Sequence, residues 1–215
     1  MKKALIIGAS GLVGSHLLNL LLADARYAQV VSLVRKGSGI QHAKLQEQIC
    51  DFSNLTSYEN LFSQVDDLFI CIGTTKQKTP DQNAYYAIDY GIPTLSASIA
   101  KHMGVKTIAV VSAMGANANS RIFYNATKGK MEDYLKALNI PHLIIVRPSL
   151  IAGHRSEKRI GEQIAKVVFN AFNFLIPRKY RAIEAKDIAR AMLLLAQESS
   201  PKTTWENNEL LKMTT

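Results

Sequence analysis

Apolar residues follow two alternating patterns along this chain: short unbroken runs, and longer stretches where they recur every third or fourth position. ALIIGA (residues 4–9) gives way to VGSHLLNLLLADA (13–25), and VVSLVR (30–35), QICDF (48–52) and DLFICIG (67–73) follow as further runs. NAYYAIDYGIPTLSASIAKHMG (83–104) has helical spacing, with Pro93 expected to bend it or to mark a late start. TIAVVSAMG (107–115) then reads as a strand, FYNATKGKMEDYLKALN (123–139) as a helix and PHLIIVRPS (141–149) as a strand. Apolar runs separated by helical periodicity predict an α/β fold: a doubly wound parallel sheet with helices on both faces.

After Pro148 the alternation stops. RIGEQIAKVVFNAFNFL (159–175) and EAKDIARAMLLLAQES (184–199) are helical stretches with no long strand between them. Residues 1–215 therefore read as a single domain, with 149–215 contributing a small C-terminal helical cap on the substrate side. A doubly wound sheet opens its ligand crevice at the C-terminal ends of its strands, so residues at those ends are the candidates for chemistry.

The first strand runs into Gly8, Gly11 and Gly14, in GASGLVG. The first glycine permits the strand-to-helix turn, and the second lets backbone N–H groups approach a pyrophosphate. The third lets the helix pack closely, and its N-terminus favours an anion. Ser10, Leu12 and Val13 supply the rest of this cradle. The second strand ends in Val34-Arg35-Lys36, where an acidic residue would bind a ribose 2′-hydroxyl. Arg35 instead suits a 2′-phosphate, so NADP(H) is expected over NAD(H). Asp51 and Phe52 end the third run, where an adenine ring would lie. Gly73 and Thr74 end the fourth, where cofactor backbone could pass.

Ser112 ends the fifth run, and Tyr124 and Lys128 follow in YNATK. Residues four apart share one face of a helix. An ammonium beside a phenol is expected to lower its pKa from ~10 toward neutrality, making Tyr124 a general acid or base. Ser112 is placed to hydrogen-bond the reacting oxygen. Glu132 and Asp133 read as surface charges of the same helix.

Composition narrows the partners. The chain is 47% hydrophobic and 20% charged, which describes a folded globular protein. No apolar run reaches the roughly 18 residues that span a bilayer. Lys2 and Lys3 precede an apolar stretch as in a signal peptide, but Gly8 to Gly14 and His16 interrupt it. Cys50 and Cys71 are the only cysteines, and both are expected as reduced, buried thiols in a cytoplasmic protein. His16, His42, His102, His142 and His154 show no ligand-type pairing, so no metal is expected. The net charge of +9 is partly clustered, with seven Lys or Arg between Arg155 and Arg181. A solvated basic surface accounts for it, and attraction of a phosphorylated cofactor is the functional alternative. Nucleic acid is not the expected partner, since no aromatic platform interleaves the basic residues.

The segments GASGLVG, CIGTTKQK (71–78), VVSAMGANANSRIFYNATKGKME (110–132) and VRPSLIAGHR (146–155) together resemble the short-chain dehydrogenases/reductases. The resemblance is to the atypical Tat-interacting-protein-like oxidoreductases, which are related to sugar-nucleotide epimerases. EAKDIARAM and WENNEL agree more loosely. The resemblance implies a Rossmann-type NADP(H)-binding fold, with Ser112, Tyr124 and Lys128 as the catalytic set. Arg147 and Pro148 match a segment whose backbone approaches the nicotinamide amide. It further implies hydride transfer to or from a small carbonyl or alcohol, in a monomer or homodimer. A cofactor-sensing regulatory protein is the alternative. Asp89 departs from the family, standing where many extended relatives carry asparagine, so no proton relay is expected there. The short C-terminal part argues against a bulky nucleotide-sugar substrate.

Overall fold

The computed structural model describes residues 1–152, 177–198 and 200–214. Seven parallel strands form one sheet: β1 (Lys2–Ile7), β2 (Tyr27–Val34), β3 (Leu45–Ile49), β4 (Asp67–Ile70), β5 (Thr107–Val111), β6 (His142–Arg147) and β9 (Thr204–Glu206). Their spatial order is β3-β2-β1-β4-β5-β6-β9. Two short strands, β7 (Ile151–Ala152) and β8 (Ile183–Glu184), pair separately. The expected doubly wound parallel sheet is therefore present. Its order reverses between β1 and β4, and that switch point opens the ligand crevice.

Side-chain alternation along each strand feeds two cores. Ala4 and Ile6 face one side with Val30, Phe69, Ala109 and Ile144, under α1 (Leu12–Ala23) and α5 (Ala185–Leu195). Leu5 and Ile7 face the other with Leu33, Ile70, Val110 and Ile145, under α3 (Ile92–His102) and α4 (Phe123–Ala137). With both faces covered, nearly every strand position must be apolar, which is why the strands read as unbroken runs. A last helix, α6 (Asn207–Thr214), follows β9.

Three local expectations change. β3 spans Leu45–Ile49 rather than 48–52, because the Asp51 carboxylate accepts from the Ser53 N–H at 2.9 Å and starts a 3₁₀ run, Phe52–Phe62. The long helix does run from α2 (Gln82–Tyr86) through to α3, with a π turn at Ala87–Gly91 between them. Pro93 lies in the first turn of α3 and has no N–H to offer the Asp89 carbonyl, so the irregularity falls one turn before the proline. The expected cap helix at 159–175 lies outside the described residues. The other one, α5, packs on α1: Ile188, Ala189 and Met192 share a core with Leu17 and Leu21. β9 was not foreseen. It adds to β6 with Glu206 beside Arg147.

Candidate active site

Gly8 leaves β1 at φ +91°, and a Cβ there would lie 2.7 Å from the Cys71 carbonyl carbon. A Cβ on Gly14 would lie 2.1 Å from the Gly8 oxygen, and one on Gly11 3.1 Å from it. The Gly11 N–H donates to that same oxygen at 2.9 Å. The three glycines thus let the β1 turn, the start of α1 and the end of β4 occupy one space. α1 begins with Gly11 at its N-cap and no side chain capping it. This is a helix N-terminus whose backbone suits an anion. The residues present fit a dinucleotide pyrophosphate.

Beside it, exposed Ser10 lines a cavity of about 80 Å³ with Val34, Ser38 and Glu47. Arg35 is exposed just past β2. The loop that follows is held by Glu47, whose Oε2 accepts the Ser38 N–H at 2.8 Å. Asp51 is exposed, and its hydrogen bonds from Ser53 hold the carboxyl below its ordinary pKa. Phe52 packs half-buried against the core.

On α4, Tyr124, Lys128 and Glu132 form a stripe spaced by four. Lys128 is buried, its Nζ 2.9 Å from Asp89 Oδ1 and 3.5 Å from the Val111 carbonyl. Asp89 Oδ2 accepts the Thr74 N–H at 2.8 Å, and the Tyr85 hydroxyl donates to the Thr74 carbonyl at 3.2 Å. Gly73 keeps this contact free, since a Cβ would approach Asp89 Oδ1 to 3.3 Å and press on it. The structure thus brings Lys128, Gly73 and Thr74 together around Asp89, with Tyr124 one turn before Lys128 on the same helix. It corrects the expected electrostatics, because Lys128 faces a carboxylate. Burial and then the Asp89 charge push the Tyr124 phenol up to about 12, although the residue is 40% exposed.

Ser112 is drawn elsewhere. Its buried hydroxyl donates to Glu132 Oε1 at 2.5 Å, two helical turns along from Tyr124. Glu132 is 1% exposed, so it is no surface charge. Its carboxylate takes a two-pronged contact from Arg147, Nε to Oε1 at 2.9 Å and Nη2 to Oε2 at 2.6 Å. Arg147 also reaches Glu206 at 3.0 Å and the Ala116 carbonyl at 3.3 Å. Hydrogen bonding to Glu132 raises the guanidinium pKa further. The Pro148 carbonyl accepts the Met114 N–H at 2.9 Å, tying the ends of β5 and β6. Sequence reasoning missed Glu132, although its spacing of four from Lys128 was the available signal. Asp133 is exposed as expected.

A glycine cradle and an uncapped helix N-terminus lie at the switch point, and Lys128 lies at the neighbouring ends of β4 and β5. The chain belongs to the NAD(P)H-binding family, which it matches over residues 8–199. It is 30% identical to protein FMP52, mitochondrial, of Candida albicans, over 90% of this chain and 87% of that one. It is 28% identical to protein HTATIP2 of Rattus norvegicus, over 99% and 89%. Its fold is that of a short-chain dehydrogenase/reductase-family oxidoreductase from Burkholderia thailandensis, at TM-score 0.69 and 20% identity over 92% of this chain and 86% of the other. MoeE5, solved in complex with UDP-glucose and NAD, superposes at TM-score 0.69 with 16% identity over 99% and 80%.

The expected NAD(P)-binding family and the expected likeness to the Tat-interacting-protein-like group are borne out by the family match and by the HTATIP2 relative, and the superpositions bear out the Rossmann-type fold. The expected cytoplasmic location is overturned, since FMP52 relatives at 30% identity carry mitochondrial in their names. That expectation rested on reduced thiols, and Cys50 and Cys71 are indeed free, but free thiols suit any reducing compartment. Among the described residues no helix is long and apolar enough to cross a membrane.

Proposed function

We propose that this protein is an NADP(H)-dependent reductase of small carbonyl compounds, with Tyr124 as its proton donor. The observation that supports this reading is Lys128, held at the ends of β4 and β5 beside the strand end that meets the glycine cradle, with Tyr124 one turn before it on α4. When bound, the reduced nicotinamide supplies hydride to the substrate carbon. The chain's own residues do the rest. The first turn of α1 and the glycines hold the pyrophosphate, and Arg35 pairs with a 2′-phosphate. Lys128 reaches the nicotinamide ribose while remaining anchored to Asp89. Tyr124 gives its phenolic proton to the carbonyl oxygen, and its exposed surface lets water return that proton. Arg147 and Pro148 contribute here by fixing the end of β6 rather than through a free guanidinium.

Purified protein should bind NADPH more tightly than NADH and oxidise NADPH in the presence of a panel of small aldehydes and ketones. Tyr124→Phe should lower kcat by about a hundredfold or more while leaving NADPH affinity unchanged, as expected for loss of a general acid. Unaltered turnover in that variant would remove Tyr124 from the mechanism. Tighter NADH binding would point to Glu47, beside the same cavity, as the residue that reads the ribose.

A second reading, a cofactor-binding regulatory protein, has its own observation. The Ser112 hydroxyl is committed to Glu132 and the Lys128 charge to Asp89. NADPH binding without turnover of any carbonyl would favour it.

A further inference from the structure

Asp89 is the residue around which this site is assembled, and neither its charge nor its place is accounted for by the fold alone. It sits in the π turn between α2 and α3, a helical irregularity that recurs at functional positions. Its side chain is 1% exposed and that of Lys128 is 4% exposed. One carboxylate oxygen faces the Lys128 ammonium at 2.9 Å, and the other accepts the Thr74 N–H at 2.8 Å. Gly73 leaves the room this arrangement needs, because any Cβ would press on the same carboxylate at 3.3 Å. Strand end, π turn and α4 therefore converge on one group.

An ammonium acting alone stabilises the phenolate of a neighbouring tyrosine. An ammonium in contact with a carboxylate presents a dipole, whose field falls away faster than that of a charge. The titratable groups around Tyr124 are Asp89 from the π turn, Lys128 from α4 itself and Tyr85 from α2. At the ends of β4 and β5, Thr74 and Val111 offer backbone groups to this cluster. Tyr85 is buried and held above the ordinary tyrosine value by its own burial and by Asp89, so it brings no charge at neutral pH.

We propose that Asp89 is a positioning residue that clamps Lys128 to the Gly73–Thr74 strand end and cancels its charge, keeping Tyr124 a phenol and setting the site to reduce carbonyls rather than oxidise alcohols. This rests on the reductase reading above. As the carbonyl carbon accepts hydride from the reduced nicotinamide, its π pair moves to oxygen. That oxygen takes the Tyr124 proton, and water then reprotonates the tyrosinate. Burial is the larger cause of the upward shift of Tyr124 and the Asp89 charge the smaller.

The direct test needs neither cofactor nor substrate. Tyrosinate absorbance is followed against pH in the wild type and in Tyr124→Phe, and the difference isolates Tyr124 from the other tyrosines. The wild type should show no Tyr124 ionisation below about pH 10, the ordinary tyrosine value. In Asp89→Asn, with Lys128 unpaired, the Tyr124 step should fall by at least one pH unit. The high-pH limb of carbonyl reduction should move down with it, and alcohol oxidation near neutrality should rise by up to about tenfold for each unit.

Should Asp89→Asn fail to fold, Asp89→Asn/Lys128→Met removes both charges, and its Tyr124 should titrate close to the wild-type position. A wild-type Tyr124 that ionises well below pH 10, or a folded Asp89→Asn whose Tyr124 does not move, overturns the proposal. The two readings fail separately: an unmoved titration beside full reductase activity sinks only the role of Asp89. Absence of any NADPH oxidation sinks the reductase, and with it the direction assigned here.

Discussion

At Glu132 one buried carboxylate accepts from Ser112 and Arg147, while Arg147 in turn joins β6 to β9 through Glu206. Removing it leaves the buried Ser112 hydroxyl without its acceptor and Arg147, 21% exposed, with Glu206 and the Ala116 carbonyl as its remaining partners. Losing one partner of a buried pair costs about 3–5 kcal/mol, more than the pair itself is worth against an apolar substitute. Glu132→Ala should lower the urea midpoint by less than this, because the guanidinium is partly exposed and keeps two acceptors. Glu132→Gln, which keeps one acceptor oxygen, should lose less. An unchanged midpoint in Glu132→Ala would show that Arg147 finds a new partner at no cost. The carboxylates of this site thus divide their duties: Glu132 fixes the scaffold, and Asp89 sets the charge beside Tyr124.

Between elements, the α1–α5 pair forms the layer behind the cradle. α5 lays Ile188, Ala189 and Met192 against Leu17 and Leu21, all fully buried. In the proposed site it acts through α1, whose N-terminus would hold the pyrophosphate. Met192→Ala should cost about 2–5 kcal/mol of stability through the cavity it leaves. NADPH affinity and the KM for a carbonyl should remain as in the wild type. A raised KM with unchanged stability would instead place α5 over the substrate. α2, the π turn and α3 show the converse case, where a local irregularity is the functional feature. Helical spacing predicted this segment correctly as one long element, but the turn that buries Asp89 depends on packing against α4 and the end of β4.

Across the whole molecule, pH acts through the buried phenols. Tyr27 is fully buried and donates to Asp67 at 2.6 Å; burial first, and then Asp67, holds it above the ordinary tyrosine value. Tyr85 and Tyr124 are raised as well, chiefly by burial. In the unfolded chain these groups ionise near pH ~10, so above that pH the unfolded state releases protons that the folded state keeps. Stability from this source is complete below pH ~10 and is lost as pH rises toward and through the folded values. Cys50 and Cys71, raised by burial, act in the same direction from a lower ordinary value, so urea midpoints should begin to fall above about pH 8 and fall further toward about pH 11. A constant midpoint over that range would show that these groups are not held above their ordinary values in the folded state.

Much of this protein was written locally. Ala4–Ile7 followed by Gly8, Gly11 and Gly14 dictates strand, tight turn and helix, because sterics between near neighbours decide it. Tyr124 and Lys128 share a face because the helix repeat places them there. What tertiary structure decided was the partner of each polar group. Sequence spacing gave Lys128 to Tyr124, and folding gave it to Asp89. The Ser112 hydroxyl, next to the Val111 carbonyl that Lys128 reaches, donates to Glu132, which binds Arg147 on β6. Thr204–Glu206, too short to announce a strand, became one because β6 had an open edge and Arg147 an unfilled contact. Charges buried together must be matched in three dimensions, whatever their separation along the chain. Local sterics therefore determined the cradle, and long-range electrostatic pairing determined the chemistry beside it.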